Sequence, residues 1–192
     1  MATPIHERLR AQTRAGHDAA EALLDDGEVL RSLDAYREFL RVQLSFVEHW
    51  EQSARLCLAE PHRTRWSAAN RVALLRADLS HLGGDAAPNP SVERGEGGEA
   101  RAWGTAYVLE GSALGGRVLA RRIADSLGLE REGLAFLRSG GAPERWRSFL
   151  VDLESAGNRL PADEIVEGAR AGFGFFLKHL PRVAAAHRRA AG

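Results

Sequence analysis

Three glycines, a serine and a glutamate crowd one apolar stretch, Tyr107-Val-Leu-Glu-Gly111-Ser112-Ala-Leu-Gly115-Gly116. Each interior glycine costs a helix about 1 kcal/mol relative to alanine, so Gly111, Gly115 and Gly116 together forfeit roughly 3 kcal/mol. Gly111 and Gly115 stand four apart and share one face, which leaves a strip of bare backbone. Two uses fit such a strip: a neighbouring helix packed close, or a flat ligand laid against it. A second feature bears on the choice. Leu9, Thr13, Gly16, Ala20 and Leu24 form one stripe of an N-terminal helical stretch, and His17 sits at its edge, facing inward. Glu21, one turn on, is placed to accept a hydrogen bond from the imidazole Nδ1, which fixes the tautomer and leaves Nε2 to ligate a metal. Arg10 lies about 10 Å back along the axis at about 1.5 Å per residue. That spacing suits an acid group on the rim of a macrocycle whose metal His17 holds. The same residues equally describe a buried histidine satisfied by Glu21.

The elements that must carry these groups all read as helix. Thr3-Pro4 caps and opens a first helix running to about Leu24. Ser32 or Asp34 caps a second, through Tyr36, Leu40, Leu44, Val47, Trp50, Ala54 and Leu58, with Pro61 at its end. A third is expected from Thr64 to Leu82, stopped by Gly83-Gly84. Residues 83–98, rich in Gly, Pro, Asn, Ser and Glu, read as a flexible surface loop. The glycine-bearing helix spans about Glu99 to Leu127, closed by Gly128. A short helix follows from Glu130 to Arg138, another starts at Pro143, and a last one starts at Pro161 and meets Pro181. No strand pattern and no repeat is legible, so the expectation is one all-α domain over residues 1–192.

The pattern Leu9-Arg10-x-x-Thr13-x-x-x-His17-x-x-x-Glu21, together with the Tyr107-to-Gly116 run, resembles the heme oxygenases, and among them the bacterial members associated with bacteriophytochromes. The likeness also takes in the stretch from Arg71 to Leu79. It implies the heme oxygenase-like multi-helical fold, with His17 as proximal iron ligand and Gly111, Ser112 and Gly115 lining the distal, catalytic side. Arg10, Thr13, Glu21, Tyr107 and Gly116 are implied as further heme-binding residues. Heme b would be both cofactor and substrate, cleaved with O2 to biliverdin, CO and ferrous iron. An electron donor such as a ferredoxin or flavin reductase is implied as partner, and a bacteriophytochrome as recipient of the biliverdin. One departure stands out: animal members carry a carboxylate directly after the first distal glycine, where this chain has Ser112. A hydroxyl donates and accepts but holds no negative charge. A heme-carrying protein with the same pocket and no turnover is the alternative reading.

Composition narrows the field further. Lys+Arg and Asp+Glu both number 26 in 192 residues, so nothing calls for nucleic acid or a strongly acidic partner. The single Cys57, between Leu56 and Leu58, excludes an internal disulfide and reads as a small hydrophobe. Without an apolar run near 20 residues or a secretory leader, the expected home is the cytoplasm, with no membrane span. A di-iron bundle needs Glu-x-x-His pairs, and no glutamate here has a histidine three residues on. His6, His49, His62, His81, His179 and His187 lack ligand spacing and are expected at the surface or at helix ends, and Arg182 to Arg189 as a solvated helix end.

Overall fold

The computed structural model describes residues 3–25, 32–85, 98–181 and 183. Ile5–Asp25 form α1, Leu33–Cys57 α2, His62–Arg65 α3, Ala69–His81 α4 and Glu99–Ser112 α5. A 3-10 turn at Ala113–Gly115 leads into α6 (Gly116–Leu127), and α7 (Ala135–Ser139), α8 (Pro143–Gly157) and α9 (Ala162–His179) complete the order. No strand occurs among the described residues, and none of their helices is long and apolar enough to cross a membrane. Most of the loop expected over 83–98 and of the arginine-rich tail, with His187, lies outside the described residues.

The core organises around α2, whose expected stripe is buried in full: Tyr36, Leu40, Leu44, Val47, Trp50 and Ala54, joined by Phe39, Val42 and Phe46. Ser32 caps it, its hydroxyl accepting from the Ala35 N–H at 3.2 Å. Away from the glycine run, two helices depart from the sequence expectation for identifiable reasons. The helix expected from Thr64 is interrupted after Arg65, because the Glu51 carboxylate of α2 accepts from Ser67 Oγ and the Ala68 N–H and holds that connection out of the helix. Trp66 is buried there, its indole N–H donating to Asp152 at 2.9 Å. The helix expected from Glu130 begins only at Ala135, since Gly133 takes a left-handed φ of 80° and the buried Asp78 accepts from the Ala135 and Phe136 N–H groups. Burial pushes the Asp78 carboxyl up, although these backbone bonds oppose the shift.

Helices α5 and α9 approach so closely that glycine is obligatory where they meet. A Cβ built on Gly104 would lie 1.9 Å from the Ile165 carbonyl oxygen, and one on Gly168 2.1 Å from that of Arg101. The helix α9 also supports α1, where Gly16 faces Phe173. One support therefore carries both the histidine helix and the glycine helix.

Candidate functional site

Helix α1 is fixed at its start by the Glu154 carboxylate of α8, which accepts from the Ile5 and His6 N–H groups at 3.0 and 2.9 Å. Arg8 pairs with Asp163, and Arg170 donates to the Gln12 side chain at 2.9 Å, tying α1 to α9. The buried stripe so defined runs through Ile5, Leu9 and Thr13. This register decides the fate of His17, which the sequence placed facing inward. Its side chain is 58 % exposed, so it is no core histidine satisfied by burial. Nδ1 lies 3.5 Å from an Asp18 oxygen and 3.7 Å from a Glu21 oxygen, the ring stands edge-on to Phe173 at 6.0 Å, and Nε2 carries no hydrogen bond among the described residues. Two carboxylates on one nitrogen favour the proton there and leave the other nitrogen to ligate. Thr13 goes the other way, into the core, where its hydroxyl donates to the Leu9 carbonyl at 2.8 Å and supports the helix.

Two turns and one turn before Thr13, respectively, His6 and Arg10 come up to the glycine helix. The His6 ring lies 6.1 Å from both Tyr107 and Trp146. The Arg10 guanidinium is exposed and without an ion pair among the described residues, and its charge is felt at Tyr107. Burial raises the Tyr107 hydroxyl above its ordinary value, a shift that Arg10 opposes. Arg10 and Tyr107 are thus close enough to interact electrostatically. His6 and Trp146 were not anticipated, although His6 stands four residues before Arg10 and shares its face; Trp146 comes from α8 and gave no local signal.

The expected continuous helix from Glu99 to Leu127 is broken at the glycine run by the turn at Ala113–Gly115. The three glycines do different work. A Cβ on Gly115 would meet nothing within 4 Å, and one on Gly111 would make only ordinary contact with Trp146, at 3.7 Å. Gly116 is buried, and a Cβ there would lie 2.6 Å from the Leu137 carbonyl oxygen, so it packs against α7. The bare strip at Gly111 and Gly115 is therefore not consumed by a neighbouring helix. Ser112 is exposed, and its hydroxyl donates to the Leu109 carbonyl at 3.0 Å. Glu21 is exposed beside His17, with 3.7 Å between its carboxylate and Nδ1, longer than the hydrogen bond expected.

Other histidines are distributed less simply than the sequence suggested. His179 ends α9, one of the two positions expected for it, but is buried rather than exposed, 4.5 Å from the Phe175 ring. His62 packs edge-on to Trp103 at 5.1 Å. A groove of about 670 Å³ at the start of α1, lined by Pro4, Glu7, Arg8, Gln12, Glu154 and Asn158, contains none of the expected site residues.

Comparison with known proteins bears on the same residues. The heme oxygenase family model matches residues 3–182. A heme oxygenase of Xanthomonas campestris is 35% identical over 154 residues, covering 74% of this chain and 87% of that protein. The heme oxygenase PigA of Pseudomonas aeruginosa is 31% identical over 157 residues, covering 77% and 76%. Among solved structures, the NO- and CO-bound heme oxygenase of Neisseria meningitidis superposes with a TM-score of 0.76 at 26% identity, over 96% of this chain and 94% of that one. The heme-bound enzyme of the cyanobacterium Synechocystis shares the fold, with a TM-score of 0.74 at 17% identity over 99% and 96%. An all-helical chain matched over nearly its whole length, with the histidine and glycine segments inside the match, belongs to the heme oxygenase family.

Proposed function

We propose that this chain cleaves heme b oxidatively to biliverdin, with release of CO and ferrous iron, holding the ring between His17 and the Gly111–Gly115 strip. The observation that carries the reading is the contrast among glycines: those at Gly104, Gly116 and Gly168 are filled by neighbouring backbone, whereas Gly115 opens onto free space and Gly111 keeps ordinary clearance. A run that forfeits about 1 kcal/mol per glycine, yet at Gly111 and Gly115 is not pressed by any neighbouring backbone, fits a flat ligand.

The residues present suit heme. His17 offers an exposed Nε2, with Asp18 and Glu21 beside Nδ1 to hold the tautomer and the ring orientation. The Arg10 guanidinium and the Tyr107 hydroxyl are placed to take propionates, arginine by paired charge-assisted bonds. When bound, heme supplies the O2-activating iron and is itself the substrate. The chain supplies the rest. Gly111 and Gly115 keep side chains off the distal face, so that access to the ring edge is set sterically. The Ser112 hydroxyl donates its hydrogen bond to the Leu109 carbonyl and keeps lone pairs that accept from a water, which orients a proton donor without adding charge. Thr13 and Gly116 act through packing. Heme cleavage consumes reducing equivalents, which calls for an electron donor such as a ferredoxin or flavin reductase, and a bacteriophytochrome is a fitting recipient of the product. Such partners place the work in the cytoplasm, in keeping with the single cysteine.

The test uses purified protein loaded with one equivalent of hemin and supplied with a reductase system in air. Loss of the Soret band with growth of biliverdin absorbance supports the oxygenase. A Soret band that persists through repeated reduction would make the protein a heme carrier.

A further inference from the structure

We propose that Glu110 is a positioning residue for heme cleavage: clamped between Arg71 and Arg145, it fixes the break that sets Gly111 and Gly115 over the ring. This rests on the reading that the glycine strip covers the distal face of heme. Glu110 is 4 % exposed. Arg145 of α8 grips it with both ends of its guanidinium, Nε to Oε2 and Nη2 to Oε1, each at 2.8 Å, and Arg71 of α4 donates Nη2 to Oε2 at 2.9 Å. The Arg145 guanidinium also lies over the Trp66 ring at 4.9 Å. Burial drives the Arg71 pKa down, and the Glu110 charge opposes that fall, so the carboxylate keeps the cation in place.

The clamp closes where the helix changes character. The Ala113 N–H turns to the Gly111 carbonyl, so Leu109 loses the partner that a continuing α-helix would give it. Two side chains replace that partner: Ser112 Oγ at 3.0 Å and Arg71 Nη1 at 3.3 Å. Arg71 thus binds the carbonyl released by the break and the carboxylate of the next residue. From the far side, the Gly140-Gly141 loop presses on the same turn, a Cβ on Gly140 falling 2.6 Å from the Ala113 carbonyl oxygen. The height and tilt of the glycine run are therefore held by charges on α4 and α8, outside the strip itself. Glycine-rich backbone alone has no such preference. A cavity of about 150 Å³, lined by Asn70, Arg71, Glu110, Ser139 and Arg145, adjoins the clamp and lets water reach the guanidiniums if the carboxylate is neutralised.

The experiment compares wild type with Glu110→Gln, Arg145→Lys and the double variant Glu110→Gln/Arg145→Gln, which keeps the net charge of the cluster. Glu99→Gln, which breaks an ion pair at the opposite end of the same helix, is the control. Three quantities are read: the ratio of biliverdin isomers, the Fe–CO stretch of the ferrous CO complex, and amide exchange at residues 113–116 of the apo protein. The clamp variants should bind heme with the His17 ligation spectrum intact, lose about tenfold in isomer selectivity, about 1.4 kcal/mol between competing barriers, shift the Fe–CO stretch and exchange faster at the turn. The control should lose melting temperature alone. If Glu110→Gln does not fold, Arg145→Lys and the double variant are read on the same scale. Unchanged isomers, Fe–CO stretch and exchange in the folded clamp variants overturn the positioning role while leaving the heme site standing. Failure of the heme site shows separately, as wild type that neither binds through His17 nor cleaves heme, and the apo exchange is still read.

Discussion

Gly104, inside α5, and Gly115, in the 3-10 turn that follows it, should respond very differently to alanine. At Gly104 the new methyl would lie 1.9 Å from a carbonyl oxygen and 2.6 Å from the Ala169 nitrogen, both main-chain atoms of α9. Ordinary contact begins near 3.4 Å, so α5 and α9 must part by about 1.5 Å along one of the closest helix crossings in the chain. Overpacking of this kind costs about 3 kcal/mol, against about 1 kcal/mol regained in helix propensity. The net loss of about 2 kcal/mol lowers Tm by roughly 4–8 °C in a chain of this size. At Gly115, which ends the 3-10 turn and caps α6, the methyl meets nothing within 4 Å, so apo Gly115→Ala loses no packing, only the modest N-cap preference for glycine over alanine, and its Tm stays within about 2 °C of wild type. The heme-loaded protein tells the other half. A methyl on the distal strip displaces the ring or the ligand above it, and turnover of Gly115→Ala should fall by roughly tenfold to a hundredfold. Differential scanning calorimetry of the apo variants and initial rates of biliverdin formation give both quantities. Parallel losses of Tm at the two positions would return Gly115 to helix packing, and wild-type turnover in Gly115→Ala would remove it from the heme site.

Arg10→Ala should weaken hemin binding by about tenfold, about 1.4 kcal/mol, because an exposed guanidinium without a protein partner loses its propionate; equal Kd values by fluorescence quenching would exclude that contact. The Arg159 hydrogen bonds hold the Glu99 carboxyl below its ordinary value of 4.5, so its contribution to stability is full above that pH and disappears as pH falls through the lower, folded-state value. Glu99→Gln should therefore cost a fraction of a kcal/mol, about 0.5, at pH 7 and progressively less as pH falls below the ordinary carboxylate range, and a loss that does not shrink on acidification would rule out the ion pair as the cause.

Much of this was legible in the chain because the signals were local. Ser32, Gly128, Pro143 and Pro161 mark helix ends through the conformations they require, and the α2 stripe follows from period alone. Spacing and the likeness to a family single out His17, Glu21, Arg10 and Tyr107 as candidates, but the inward face that the apolar stripe implied for His17 is not what the packing of α1 gives. What escaped was set by tertiary contacts. The break after Arg65 depends on Glu51, fourteen residues earlier, and the late start of α7 depends on Asp78 from α4. The obligatory glycines at the α5–α9 crossing, Gly104 and Gly168, lie 64 positions apart and look unremarkable in sequence. For the same reason the roles of Gly116, Thr13 and Glu110 could not be separated from those of their neighbours: in a helix, adjacent residues point to different partners, and only the packing says which.

The claim at the centre of the account is that His17 ligates the heme iron through Nε2. Its direct test is the ferric and ferrous-CO spectrum of His17→Ala loaded with hemin, recorded before and after addition of imidazole. The account predicts loss of the nitrogen-ligated spectrum and of biliverdin formation, an apo Tm close to wild type because the side chain is 58 % exposed, and return of the spectrum when free imidazole occupies the vacated position. A variant that keeps the wild-type spectrum and turnover without imidazole would contradict it.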